Sequence, residues 1–486
     1  MAEFKKSKFQ SSNFSKNVKA ISWNKVFPIL MSAGTALISI ITTYFVAKPL
    51  GPVLYGELQY YLGVIQVLSL VSALGLSEFM VKNVQFSTDK KGFFSKWITL
   101  IAGWNIIILP VFFVIAFFAL HTFNRNILLI MIVTVCAIFM CILNIVAAFF
   151  LGNFKQSKSM FFHNFLPKIS LLLMSVILLY VCKFINEFTN YYMIGFFLIY
   201  GIISVAFLFK LYKKTELKFS KVEIISLISF FAISATYSLN SALAKIIGTE
   251  YYNQLDTVGA YALSVQIMGI GTLFSGTITS MSRPYFSLLS NDKEKLMNYF
   301  RKITRINAYI VIPFCIAFIV QSKKVLSIFG SGFIPFYWIL IILSIGTLIS
   351  DLTGPNGSML AMAGYEKIEL INGIVNIVIF LLCAFFFKNL GISGLALATL
   401  AAIIGTNIMK FIEILFIYKN NPYNFSLFLH FLILILISAL VFSIIGLINN
   451  IYLAIAIDAI AGIILIIMFN LINPHKDDKY FFFEKH

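Results

Sequence analysis

The sequence predicts an all-α polytopic membrane protein of about fourteen transmembrane helices. Three observations carry that reading. The 486 residues are 60% hydrophobic and only 12% charged, about half the charged share of an ordinary soluble domain. Phenylalanine alone occurs 52 times, more apolar surface than a soluble chain can hide. The apolar residues also fall in runs of 17 or more, long enough to cross a bilayer as helices. They lack the strict alternation that strands of a membrane barrel need.

Taken in order, the first 25 residues are polar and basic, with Lys5, Lys6, Lys8, Lys16 and Lys19. No small-residue cleavage site follows the first apolar run, so that run is expected to remain as a span. Spans 1–6 are expected at 26–47, 58–80, 97–120, 127–151, 160–182 and 191–212. Spans 7–12 follow at 222–248, 257–282, 306–322, 334–353, 368–387 and 390–418. Spans 13 and 14, at 425–448 and 451–472, are apolar nearly all round apart from Asp458. The longest loop between spans, 283–305, has 23 residues. No soluble catalytic domain fits in it.

Net charge is +18. With the N-terminus in the cytoplasm, most of the 37 Lys and Arg fall in inner segments, and only Lys48, Arg125, Lys183, Lys323, Lys324 and Lys388 fall on outer turns. That asymmetry places both termini inside. The charge is therefore a topology signal, and no nucleic-acid partner is expected. The five cysteines all lie in apolar runs without a CxxC pair and read as small buried hydrophobes. No cofactor or metal is expected. The five histidines are scattered and no His–carboxylate pair or DxD loop appears, which argues against an enzyme.

Two pairs of segments suggest an internal repeat. GELQYYLGVIQVLS, from Gly56, resembles GAYALSVQIMGIGTLFS, from Gly259, at an offset of 203; GNFKQ (152–156) faces AGYEK (363–367) at an offset of 211. The expected organisation is a basic N-terminus (1–25), a six-helix lobe (26–221), a second six-helix lobe (222–424), and a helix pair with its tail (425–486).

Four spans carry polar residues at helical spacing. Span 1 has Lys25, Pro28, Ser32, Thr35, Ser39 and Thr42 on one face. Span 2 has Gln59, Gly63, Gln66 and Ser69. Span 7 has Ser234, Ser238, Ser241 and Lys245, with Tyr237 alongside. Span 8 has Gly271, Ser275, Thr279 and Ser282. Two readings fit these stripes: close helix packing through small residues, and the lining of a polar cavity. Lys245 lies about one turn inside span 7, where a charge is costly unless it has a use. Arg283 precedes Pro284 at the inner end of span 8 and reads equally as an anchor. Lys410 and Glu413, three apart, are expected to pair on one helix. Asp351 opens DLTGPNG (351–357), where Pro355 and two glycines break the helix. A broken helix at that depth must be buried in protein or line a cavity, and Asp351 is a candidate for binding a proton or Na⁺.

The corner VAKPLGPVLYG (46–56) resembles the basic–x–Leu–Gly–x–x–x–Tyr–Gly pattern of the polysaccharide flippases within the multidrug/oligosaccharidyl-lipid/polysaccharide exporter superfamily. VGAYALSVQI (258–267), LSIFGSGF (326–333) and NLGISGLALAT (389–399) resemble that family's entries to helices 8, 10 and 12. The resemblance implies a MATE-like fold, with two six-helix lobes around a central cationic cavity lined by helices 1, 2, 7 and 8. It also implies a substrate, an undecaprenyl-diphosphate-linked oligosaccharide flipped across the bacterial cytoplasmic (inner) membrane for O-antigen, capsule or exopolysaccharide assembly, with polymerase machinery as a possible partner. On that reading Lys25, Lys48 and Lys245 meet the diphosphate, while Ser32, Thr35, Ser39, Gln66, Tyr237, Ser241, Ser275, Thr279 and Arg283 line the path. Family members often carry an Asp near the end of helix 7; here SLNSALAKIIG has Asn240 and Lys245 instead. A drug or cation antiporter of the same fold is the nearest rival, and it needs cavity acids that this sequence scarcely offers. Export of a peptidoglycan or related lipid precursor is the other.

Overall fold

The computed structural model describes residues 23–121, 127–250, 254–419 and 425–472. Its α-helices, in chain order, are α1 (Trp23–Ala73), α2 (Leu76–Asn83), α3 (Lys90–His121), α4 (Ile127–Gly152), α5 (Gln156–Met160), α6 (Leu166–Ser175), α7 (Phe188–Leu211), α8 (Lys221–Glu250) and α9 (Leu255–Leu288). They continue as α10 (Lys293–Val320), α11 (Ser322–Ile328), α12 (Tyr337–Leu352), α13 (Asn356–Met362), α14 (Glu366–Phe386), α15 (Ile392–Tyr418), α16 (Phe425–Ile445) and α17 (Ile451–Ile472). Among the described residues, twelve segments are long and apolar enough to cross a membrane. One of them, Leu30–Ala73, is 44 residues long and holds both of the first two expected spans. The seventh window coincides with α8. Large apolar side chains such as Ile106, Phe209, Phe416 and Leu447 stand fully outward, as they do in helices that face lipid.

The long helix α1 reverses at one residue. Gly51 has φ 64° and ψ 179°, a conformation only glycine adopts cheaply. Contacts with α9 show the reversal. Before the kink, Ser32 bonds Thr277, while Pro52, just past it, sits at Gly259, so the first arm runs antiparallel to α9. After it, Gly56 packs on Gly259 and Glu78 of α2 pairs with Arg283, so the second arm runs parallel to α9. The sequence expectation was a rigid corner with a close reversal at Gly51 and Gly56, and one glycine, Gly51, makes it, because Pro52 sets the first φ of the second arm.

The corners after α4 and α13 are built alike. Lys155 N–H donates to Phe150 C=O at 2.9 Å, and Tyr365 N–H to Leu360 C=O at 2.9 Å. Ser159 and Glu369 then bond back to Lys155 and Tyr365, each at 3.1 Å. Lys155 and Tyr365 stand 210 positions apart, which corrects the expected register of 211 by one. The shape of the turn, with Phe154 at φ 58° and Gly364 at φ 98°, sets the register more sharply than residue identity does.

The last two helices dock on α10. Tyr309, Phe431, Phe442 and Phe469 form one apolar cluster. Gln321 Nε2 donates to Asp458 Oδ1 at 2.8 Å and to Phe442 C=O at 3.1 Å. The isolated acid of α17 is thus a docking group. Lys324 adds bonds to the carbonyls of Gly446 and, at 2.7 Å, Ile448.

Candidate functional site

Two ammonium groups face one cavity in the first half of the bundle. The cavity is about 240 Å³ and is lined by Thr42, Gln59, Gln66, Lys168, Lys245 and Gln266, with an aromatic wall from α7. Lys168 follows Pro167 in α6, between wide π-helical turns at Phe161–Phe165 and Val176–Val181. Such turns concentrate at functional positions. Lys168 Nζ donates to Gln266 Oε1 at 2.8 Å, and Lys245 Nζ donates to Gln59 Oε1 at 3.2 Å. No carboxylate among the described residues pairs with either. Both amide partners are neutral, so two positive charges remain uncompensated. Along α7, Tyr192, Phe196 and Tyr200 recur every fourth residue and share one face; the rings of Phe196 and Tyr200 stack at 3.9 Å.

An adjoining cavity of about 280 Å³ shares Gln66, Asn144 and His163 with the first and extends to Glu78, Ser234, Ser280 and Arg283. Arg283 is bound to Glu78. The pair ties α2 to α9, and Lys82 ties α2 to Glu366 of α14 at 3.2 Å. Gly75 packs against the backbone of Phe230 and Phe231 in this same region. At the opposite end, a Cβ on Gly56 would lie 2.0 Å from Leu255 C=O, and one on Gly259 would lie 2.0 Å from Pro52 C=O. The first-half and second-half helices therefore touch at both ends, with the lysines between.

A third cavity, about 490 Å³, lies among α9, α12, α13, α14 and α15. The DLTGPNG break lines it: Gly354, Pro355, Asn356 and Gly357 all face it, as a break at this depth requires. Asp351 itself meets Ser275 Oγ. Lys410 reaches across to Glu369 at 2.6 Å, while Glu413 accepts from Asn372 at 2.7 Å. Lys410 thus gains a bond between helices to a fully buried acid of α14, beside the charge attraction to Glu413 that the i, i+3 spacing predicts.

The remaining expected site residues are placed as follows. Ser32 bonds Thr277 across the α1–α9 contact, Thr35 bonds back to Met31 C=O at 2.8 Å, and Ser39 is buried. Of these three, Ser32 bonds across the helix contact, and among the described side chains of that stripe Thr42 alone lines the lysine cavity. Ser275 Oγ also approaches Thr272 C=O at 3.2 Å, and Thr279 accepts from Asn307 at 2.9 Å. Lys48 is exposed beside the kink, its ammonium 2.6 Å from Tyr44 OH. The side chains of Lys25, Tyr237 and Ser241 lie outside the described ones. The expectation did not list Lys168 as a site residue. Its signal was a lysine deep in span 5, the same signal that marked Lys245.

A kinked helical bundle whose halves touch at both ends, with Lys168 and Lys245 between them, defines a class, the polytopic helical membrane proteins. Comparison with solved structures supports that fold. Lipid II flippase MurJ in an inward closed conformation has a TM-score of 0.61 at 18% identity, covering 92% of this chain and 98% of that one. An outward-facing multidrug resistance MATE family transporter of the MOP superfamily gives 0.59 at 16%, covering 83% and 99%. A MOP superfamily transporter from Pyrococcus furiosus, described as having a binding pocket of reverse polarity, gives 0.59 at 14%, covering 84% and 100%. No curated protein matches the chain by sequence.

More particularly, residues 45–336 match the family described as polysaccharide biosynthesis protein, and the chain belongs to that family. It is a multi-pass helical membrane protein of that family.

Proposed function

We propose that the protein flips an undecaprenyl-diphosphate-linked oligosaccharide from the inner to the outer leaflet of a bacterial cytoplasmic membrane, with both termini in the cytoplasm. One observation carries the reading: Lys168 and Lys245 face one cavity with amide partners and, among the described residues, no carboxylate. A bare diphosphate in hydrocarbon is prohibitively costly, and two ammonium groups are what it lacks. Lysine is a compact point charge that holds phosphate without the rigid fork of arginine, which suits a ligand that must leave. Gln59, Gln66 and Gln266 supply hydrogen bonds to the nearest sugar, and the polyprenyl tail stays in lipid.

In this orientation the Gly51 kink faces outside, and exposed Lys48 stands where the diphosphate emerges. The membrane potential assists by about 2.3 kcal/mol per charge per 100 mV, and the diphosphate carries negative charge away from a negative interior. Asp351, on Ser275, is the candidate for a coupling proton or Na⁺. Products would pass to the polymerase that extends O-antigen, capsule or a related glycan.

The test is surface exposure of the glycan lipid in cells carrying Lys245→Ala or Lys245→Arg. Export should fall at least tenfold in the alanine variant and recover in part with arginine. Undiminished export by Lys245→Ala would remove the assignment.

A further inference from the structure

We infer that the 490 Å³ cavity of the second half is a carbohydrate subsite, separate from the lysine cavity, that recognises the uncharged glycan through a cluster of carboxamides. This rests on the lipid-linked glycan reading above. The cavity is within the size range of ligand clefts, about 300–1,000 Å³.

Its chemistry is the opposite of the lysine cavity's. Lys410 and Glu369 cancel each other at 2.6 Å, so the pair offers no net charge to an anion. What lines the wall instead is amide and hydroxyl. Asn372 and Asn376 lie one turn apart on α14, and Asn407 projects from α15. Asn376 Nδ2 is held by Ala402 C=O and Thr406 Oγ1, both at 3.1 Å. Asn407 Oδ1 accepts from Thr353 at 2.8 Å and from Asn356 at 3.0 Å. The carboxamides are therefore fixed before any ligand arrives.

Asn372 carries the decisive detail. Its Nδ2 donates to Glu413 at 2.7 Å and to Glu369 at 3.3 Å. Two carboxylates fix which end of the amide is nitrogen, because an amide oxygen in that place would face them oxygen to oxygen. Its Oδ1 is buried and has no partner among the described residues. Such an orphan costs about 1–3 kcal/mol, and a ligand that brings an O–H or N–H donor removes the cost. Thr347 and Ser350 add hydroxyls that both donate and accept, and the ring of Tyr261 gives a flat apolar wall. An uncharged ring bearing many hydroxyls, with apolar C–H faces, satisfies every one of these groups.

The test uses purified full-length protein and two probes. One is the oligosaccharide released by mild acid from the lipid-linked pool of the source cells. The other is undecaprenyl diphosphate without sugar. Asn372→Leu and the isosteric Thr347→Val should each weaken oligosaccharide binding about tenfold or more, with sugar-free undecaprenyl diphosphate bound as before. Thr347→Val keeps the fold because the Thr347 hydroxyl otherwise only returns to Leu343 C=O. Lys245→Ala should do the reverse. Wild-type oligosaccharide affinity in both cavity variants overturns the inference, as does loss of oligosaccharide binding in Lys245→Ala alone. So does a wild-type protein whose second-half cavity takes Na⁺ and no sugar. Sugar binding without undecaprenyl diphosphate binding would instead overturn the lysine-cavity reading and leave this one standing.

Discussion

Gly56→Ala should loosen the closure at the Gly51 end without unfolding the protein. The added Cβ would sit 2.0 Å from Leu255 C=O and 3.0 Å from Gly259 N. Ordinary contact begins near 3.4 Å, so the two backbones must part by 3.4 − 2.0, or about 1.4 Å. Neither neighbour is the end of a flexible side chain that can swing aside. Overpacking of this kind costs about 1–3 kcal/mol, and it is paid only while the two arms touch. Taking about 2 kcal/mol, the balance moves roughly thirtyfold toward a form open at this end. The assay is labelling of Thr43→Cys, a cavity position, by a membrane-impermeant maleimide applied from the Gly51 side. Exposed Cys182 is replaced by serine first. Labelling should quicken by about that factor. Gly103→Ala is the control, since a Cβ there meets open space. A folded Gly56→Ala protein labelled at the unmodified rate would show that the Gly56–Gly259 contact is not the closure.

Other outcomes follow from the same geometry. Lys168→Ala should depress glycan-lipid export as strongly as Lys245→Ala, and the double variant should add less than the sum, because both serve one anion; a strictly additive loss would separate their roles. Glu78→Ala should lower the Tm more than Glu78→Ala combined with Arg283→Ala, since the single change leaves a guanidinium unpaired. For this partly buried pair, the difference should fall between the ~1 kcal/mol of exposed pairs and the ~3–5 kcal/mol of buried ones. Outside the spans, Asp89 is held below the usual carboxylate range by Lys213, 2.7 Å away, and by the Gly92 N–H. A depressed acid lends its support above its unfolded pKa of about 3.9 and loses it as pH falls through the lower folded value. Proteolysis at the 87–89 loop should therefore accelerate only below about pH 4, and Asp89→Asn should abolish that pH dependence.

The helices were legible because bilayer thickness dictates length, and an apolar run of that length admits little else. Each of the fourteen windows falls on helix, and the corner at 46–56 was recognisable from its prolines and glycines. Its close reversal was legible from Gly51 and Gly56, but not that helix would run right up to Gly51 from both sides. The stripes were half legible. Hydroxyls at helical spacing mark a face but not what meets it: Ser32 found Thr277, whereas Thr42 found the cavity. Lys168, Lys245, Gln59 and Gln266 converge from four helices, a juxtaposition that no spacing within one helix can announce. Lys410's second acid, Glu369, was hidden for the same reason, since it arrives from α14. The asparagines of the second cavity did leave a trace, Asn372 and Asn376 being four apart on an otherwise apolar span. A search for carboxamides, and not only for charges and hydroxyls, would have found them.

The two ends of the bundle are closed with different materials. At Gly51 the close contacts are peptide against peptide, Gly56 on Leu255 and Gly259 on Pro52. At Gly75 close backbone packing is reinforced by Glu78–Arg283 and Lys82–Glu366, whose partly exposed charges weaken as ionic strength rises. Salt therefore acts as a one-sided lever. It loosens the ion-paired door more than the one closed by backbone packing, so the electrolyte on the Gly75 side can bias which way the protein opens.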